Sequence, residues 1–163
     1  MITGQVGLVP GDKGWASGVV MWATRSNWSH MVVAISEREC VSAEPGGVRI
    51  RPIGYYPGTV WSKFPLRWTQ RRRIVNFARS RIGTKYAWID YLAVGVAIIT
   101  GRATPEWLRS YVADDTSLIC SQLCDLALQA GGIHVFFDHR PAGAVIPASF
   151  ARVFIARGWT DTP

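Results

Sequence analysis

The chain is short of several things, and each shortage removes a class of answer. Cysteine is scarce: three in 163 residues, an odd number that offers no disulfide framework. Cys120 and Cys124 stand one helical turn apart, where a bridge would be strained. Such usage fits a reducing compartment, or a free thiol with a task. Acidic residues are few, 11 against 18 Lys and Arg, which leaves a net charge of +7 and a pI near 9.8. That balance turns the chain toward anionic partners such as nucleic acid, anionic lipid or wall polymers, without choosing among them. Long hydrophobic runs are missing. The most apolar stretch, Trp88 to Ile99, is interrupted by Asp90 and Gly95 and is too short to span a bilayer. It reads as a buried helix, with an interfacial helix as the lesser alternative. The opening Met1-Ile2-Thr3-Gly4-Gln5 lacks the basic-then-apolar pattern of a signal peptide. There are no repeats and no low-complexity run.

What is present describes one globular domain over residues 1–163. Hydrophobic residues make up 48% and charged residues 18%, enough to build a core. Eight tryptophans suit a packed core or a wall- or membrane-facing surface. The one dense basic cluster is Arg71-Arg72-Arg73, followed by Arg79, Arg81 and Lys85. Positions 72, 76, 79 and 83 share a helix face, which reads as a solvated face. No nucleic-acid motif accompanies it, so no specific nucleic acid is expected as a partner.

The first sixty residues look β-rich. Gly11-Asp12-Lys13-Gly14 reads as a turn, and Gly18 to Thr24 and Met31 to Ile35 as buried strands. Cys40 to Ala43 and Val48 to Ile53 flank Glu44-Pro45-Gly46-Gly47, a strong turn signal. Tyr55 to Trp68 is loop-like. Thr69 can cap a helix through Ser80, with Ile74, Val75, Phe77 and Ala78 as its apolar face and Gly83 as its stop. Trp88 to Thr100 reads as a second helix and Pro105 to Tyr111 as a short third. Asp114-Asp115-Thr116-Ser117 supplies N-cap candidates for a helix to about Ala130. Val135 to Phe137 looks like a short strand, and Pro147-Ala148-Ser149-Phe150 opens a last helix or turn. The fold class is α+β: a small antiparallel sheet packed against a helical layer.

Two segments carry chemistry. Trp28-Ser29-His30-Met31-Val32-Val33 puts a histidine at the mouth of an apolar strand. Ile119-Cys120-Ser121-Gln122-Leu123 puts a cysteine at the start of an apolar helix. A thiol in the first helical turn meets unpaired N–H groups and the positive dipole end, which favour the thiolate. The same N–H groups can hold an oxyanion. His30 is the candidate base, and Glu44, 14 residues on, is the candidate carboxylate to orient it across an antiparallel pair. Cys124, one turn deeper, faces the core. Cys40, His134 and His139 have weaker claims. Glu37 and Glu39 fall in the expected hairpin turn and should be solvated. The blander alternatives are a small buried cysteine and a surface or capping histidine. A zinc site from Cys120, Cys124 and a histidine would match no strong zinc spacing, and neither metal nor cofactor is expected.

In this order the residues resemble the circularly permuted papain-like amidases, the YiiX-like branch of the NlpC-type cell-wall peptidase superfamily. There the histidine strand comes first and the cysteine helix last. Gly11-Asp12 resembles the Gly-Asp opening of the first strand. The His30 segment is similar to a Ser-His-Val-Gly-Ile segment, and the Cys120 segment to a Cys-Ser-Glu-Leu segment. Glu44 sits where the family carries its third polar residue. Arg81-Ile82-Gly83-Thr84-Lys85-Tyr86 and Ile146-Pro147-Ala148-Ser149-Phe150 add weaker matches. Gln122 and Ala148-Ser149 depart from the family's residues at positions away from the chemistry. The resemblance implies a cysteine hydrolase or acyltransferase with a Cys120–His30–Glu44 triad. It also implies substrate contacts from Trp28, Tyr86 and Ser121. The expected substrate is a peptide, peptidoglycan or lipid-acyl carbonyl, and the expected form a monomer. The expected location is the cytoplasm, or wherever a phage- or effector-type route delivers the chain. The rival expectation is a non-catalytic wall- or lipid-binding module on the same fold.

Overall fold

A computed structural model describes residues 1–11, 27–44, 46–86, 117–137 and 145–160. Among the described residues five antiparallel strands form the sheet: β1 (Val6–Pro10), β2 (Trp28–Ala34), β3 (Glu39–Glu44), β4 (Gly47–Pro52) and β5 (Val60–Trp61). Their order across the sheet is β4-β3-β2-β1-β5. A 3-10 turn, Ile53–Tyr55, leads from β4 toward β5. Among the described residues three helices follow: α1 (Trp68–Ser80), α2 (Cys120–Ala130) and α3 (Pro147–Ala156). A small parallel pair, β6 (Lys85–Tyr86) with β7 (Ser117–Leu118), precedes α2. The class is α+β. Among the described residues, no helix is long and apolar enough to cross a membrane.

Strand alternation divides the sheet into two faces. Val6, Leu8, Met31, Val33, Val41, Ala43 and Val48 point to one side. There they join Ile74 and Ala78 of α1, Leu123, Ala127 and Leu128 of α2, and Phe150 and Phe154 of α3. This is the main core. On the other side Val9, Val32 and Cys40 form a smaller cluster, covered by Ile53, Tyr56 and Trp61. Met31 to Ala34 is therefore buried on both faces, which is why it reads as an unbroken apolar run.

One irregularity matters for the site. Val9 pairs with His30 and Pro10 with Trp28, so Ser29 is an extra residue in β2. Such a bulge turns the strand. Trp28 consequently joins the main core, while His30 packs its ring against Tyr56 on the opposite face.

Several local expectations shift. The N-terminal strand Val6–Pro10 and the short Val60–Trp61 strand were not evident from pattern. The segment Val135 to Phe137 is not a strand: it takes no ladder partner, and Val135 instead packs into the core. The first helix opens two residues early, with Arg67 rather than Thr69 at its N-cap. Gln70 Oε1 there accepts the Arg67 N–H at 3.0 Å. Ser117 lies in β7, so α2 begins at Cys120 with Ile119 at the N-cap. Glu37 is exposed yet engaged, accepting the Ile2 and Thr3 N–H groups and the Thr3 hydroxyl. Glu39 opens β3 rather than sitting in the turn. The expected strand at Gly18–Thr24, the helices at Trp88–Thr100 and Pro105–Tyr111, the caps Asp114 to Thr116, Pro45 and His139 lie outside the described residues.

The close approach of β1 to its cover is testable. A Cβ at Gly7 would stand 2.5 Å from Thr59 Cγ2 and 3.0 Å from the Trp61 ring. Gly7→Ala is expected to cost about 1–3 kcal/mol, the usual range for overpacking, read by urea denaturation. A neutral result would mean that β5 does not lie against β1.

Candidate functional site

The polar group that stands out lies on the smaller face of the sheet. β2 pairs with β3 through Val32–Ser42, Val33–Val41 and Ala34–Cys40. The same register, continued past Val32–Ser42, runs to Glu44 across from His30. The imidazole and carboxylate do not touch directly; two hydroxyls stand between them. His30 Nε2 lies 2.8 Å from Ser42 Oγ. Ser42 Oγ lies 2.7 Å from the Tyr56 hydroxyl. Tyr56 then donates to Glu44 Oε2 at 2.8 Å. The far side of Glu44 is neutralised by two guanidiniums. Arg51 Nε donates to Oε1 at 2.9 Å, and Arg49 Nε stands 3.2 Å from the same oxygen. Ser42 is fully buried, while His30, Glu44 and Tyr56 are half-buried. Burial pushes the Tyr56 hydroxyl above its ordinary value, and its bond to Glu44 acts in the same direction. Tyr56 therefore stays protonated at physiological pH.

Cys120 is the first residue of α2 and is fully buried. It belongs to the main core, with Trp28, Met31, Val33 and Ala43. His30 and Cys120 thus occupy opposite faces of the sheet. The structure brings His30 and Glu44 into one chain of hydrogen bonds, and it brings Cys120 and Trp28 into one cluster. The first group lies on the smaller face of the sheet and the second in the main core. Ser121, the neighbouring candidate, is buried and donates its hydroxyl to the Val145 carbonyl. That bond ties the start of α2 to the chain entering α3. Tyr86 pairs through its backbone with Leu118 in the small parallel sheet. His134 is exposed.

The surroundings of the two other thiols disfavour the thiolate. Burial holds Cys124 well above the ordinary thiol range, with Cys120 and Asp125 adding to the effect. Cys40 is pushed up from about 9 to about 12, by burial first and by the nearby Glu44 carboxylate second. Cys40 is therefore a neutral thiol in the folded chain. Its ordinary ionisation in the unfolded chain makes folding less favourable as pH rises from about 9 to about 12, and costs nothing below that window. Cys40 is expected to resist alkylation at pH 8 in the native protein and to label once urea unfolds it. Native labelling at the rate of a peptide thiol would contradict this.

Ser42 and Tyr56 escaped the sequence reading. A serine in an apolar strand and a tyrosine in an aromatic loop carry no motif of their own. The available signal was register: Ser42 lies 12 positions after His30 in the hairpin, on the same face as Glu44. Among the described residues, no three His, Cys, Asp or Glu side chains are grouped to hold a metal ion. No protein-family model matches the chain, and a search of curated proteins finds no match.

Proposed function

We propose that the chain is a cysteine amidase or acyltransferase on a permuted papain-like fold, with His30 as its base and Cys120 as its nucleophile. The observation that carries this reading is the hydrogen-bonded chain behind His30. A half-buried imidazole tied through two hydroxyls to an arginine-paired carboxylate is an expensive way to fill a sheet face. It is an economical way to orient a base. The position of Cys120 at the head of α2 adds a second support, since first-turn N–H groups favour a thiolate and an oxyanion. In the reaction His30 takes the Cys120 proton, and the thiolate attacks an amide or ester carbonyl. The tetrahedral intermediate collapses to a thioester as the leaving group receives the proton. Water, activated by His30, then releases the acid and restores the thiol. For an acyltransferase a second nucleophile takes the place of water.

The reading requires Cys120 and His30 to meet. The separation of the two residues by the sheet is the strongest observation against the pair. Acyl trapping tests it. The protein is mixed with an activated aryl ester, quenched in acid and digested. The expected result is an acyl mass on the Cys120 peptide, absent in Cys120→Ala and slowed at least about 100-fold in His30→Ala. Acylation at the wild-type rate in His30→Ala, or none at Cys120, overturns the proposal.

A second reading is favoured by the face separation and by the surface. Arg72 lies 4.9 Å over the exposed Trp68 ring, Arg51 4.4 Å over Tyr55, and Arg157 4.8 Å over Trp159. Among the described residues the ion pairs converge on Glu44, so the arginines of α1 carry no carboxylate partner there. A cationic, aromatic surface of this kind suits a module that binds an anionic wall or lipid surface without catalysis. On that reading, double replacement of Trp68 and Arg72 by alanine weakens cosedimentation with anionic vesicles or wall fragments about tenfold. Cys120→Ala leaves cosedimentation unchanged.

A further inference from the structure

The direction of every hydrogen bond behind His30 follows from the charge at its far end. Glu44 is paired with Arg51 and Arg49 and is therefore an acceptor only. Tyr56 has a single O–H and spends it on Glu44 Oε2 at 2.8 Å. Its oxygen is left to accept, so the 2.7 Å contact with Ser42 runs from the serine hydroxyl to the phenol. Ser42 likewise has one hydrogen, now committed to Tyr56. Its oxygen must accept from His30 Nε2 at 2.8 Å. The imidazole nitrogen facing Ser42 thus carries a hydrogen, and in the neutral ring the lone pair resides on Nδ1.

We infer that Ser42 and Tyr56 are positioning residues that relay the Glu44 charge to His30, fix its Nε2–H tautomer and leave Nδ1 as the proton-accepting atom. For its use in catalysis this rests on the reading proposed above. The tautomer itself does not, because it is a property of the ring. The relay is confined to one face of the sheet and reaches His30 without help from α2. With Ser42 fully buried at its middle the chain has little slack: reversing one member leaves two hydrogens or two lone pairs facing each other at that hydroxyl.

The test is nitrogen NMR of the full-length protein with ring-labelled histidine, at a pH where His30 is neutral. His30→Ala identifies its resonances. The expected result is a protonated Nε2 and an unprotonated Nδ1 in the wild type. Tyr56→Phe keeps the ring and removes the link to Glu44, freeing the Ser42 hydrogen to turn toward His30. The ratio of Nε2–H to Nδ1–H forms should then fall at least about five-fold, the effect of one ordinary hydrogen bond. Ser42→Ala should do the same, and Ser42→Thr, which restores a hydroxyl, should return the ratio toward the wild type. An Nδ1–H ring in the wild type overturns the inference. So does a ratio unmoved in both Tyr56→Phe and Ser42→Ala. A failed acylation experiment with the tautomer intact would sink the hydrolase and spare the relay. The opposite pair of results would do the reverse.

Discussion

Phe154→Ala is expected to lower the unfolding free energy by about 3–5 kcal/mol, the usual cost of emptying a buried aromatic site. Phe154 is fully buried in α3. Its ring meets Phe64 edge-on at 5.3 Å between centroids, Phe150 at 5.4 Å and Trp159 at 6.4 Å. The backbone reinforces the same corner: the Trp159 N–H bonds to the Phe154 carbonyl, and the Lys63 N–H to the Trp159 carbonyl. Losing the ring therefore loosens the tie between α3 and the stretch linking β5 to α1. At this chain length each kcal/mol moves the midpoint by about 2–4 °C, so thermal melting should show a drop of roughly 6–20 °C. A change below about 2 °C would mean that α3 does not pack where these contacts put it.

The second large effect separates the thiols. With an activated ester as substrate, Cys120→Ala should reduce turnover by on the order of 10³-fold or more, the loss expected when a nucleophile is removed. Cys124→Ala should leave turnover within about threefold, because its buried, neutral thiol has no part in the chemistry. Cys124 shares the core with Cys120, Leu123 and Leu128, so its replacement should instead appear as lost stability of about 1 kcal/mol. Equal turnover in the wild type, Cys120→Ala and Cys124→Ala would support the binding-module reading, in which no thiol reacts.

Much of the scaffold was legible because local rules sufficed. The Glu44 to Gly47 turn between β3 and β4, the helix ending at Ser80 and the one ending at Ala130 each have their own periodicity and stop signals. The strand Val6–Pro10 did not declare itself, since Gly7 and Pro10 dilute its pattern and its order comes from pairing with β2. Val135 to Phe137 failed the other way: β-forming residues without a neighbouring strand pack as core instead. The site was legible only by halves. The spacing of His30 and Glu44 is a hairpin property and can be read along the chain. Which face His30 occupies cannot, because Met31 to Ala34 is apolar on both faces and the alternation that would give the answer is erased. The bulge at Ser29 leaves no mark in composition either. Ser42 and Tyr56 became visible only when register and the β4–β5 connection were fixed in space.

The central claim is that Cys120 and His30 act as one unit, and the rate of thiol alkylation tests it most directly. Iodoacetamide is applied between pH 6 and 7 and each labelled cysteine is mapped by mass. The account predicts that Cys120 reacts faster than a peptide cysteine, that Cys40 and Cys124 stay unlabelled, and that His30→Ala slows Cys120 at least tenfold. A Cys120 that reacts no faster than a peptide thiol, at a rate indifferent to His30, would contradict it.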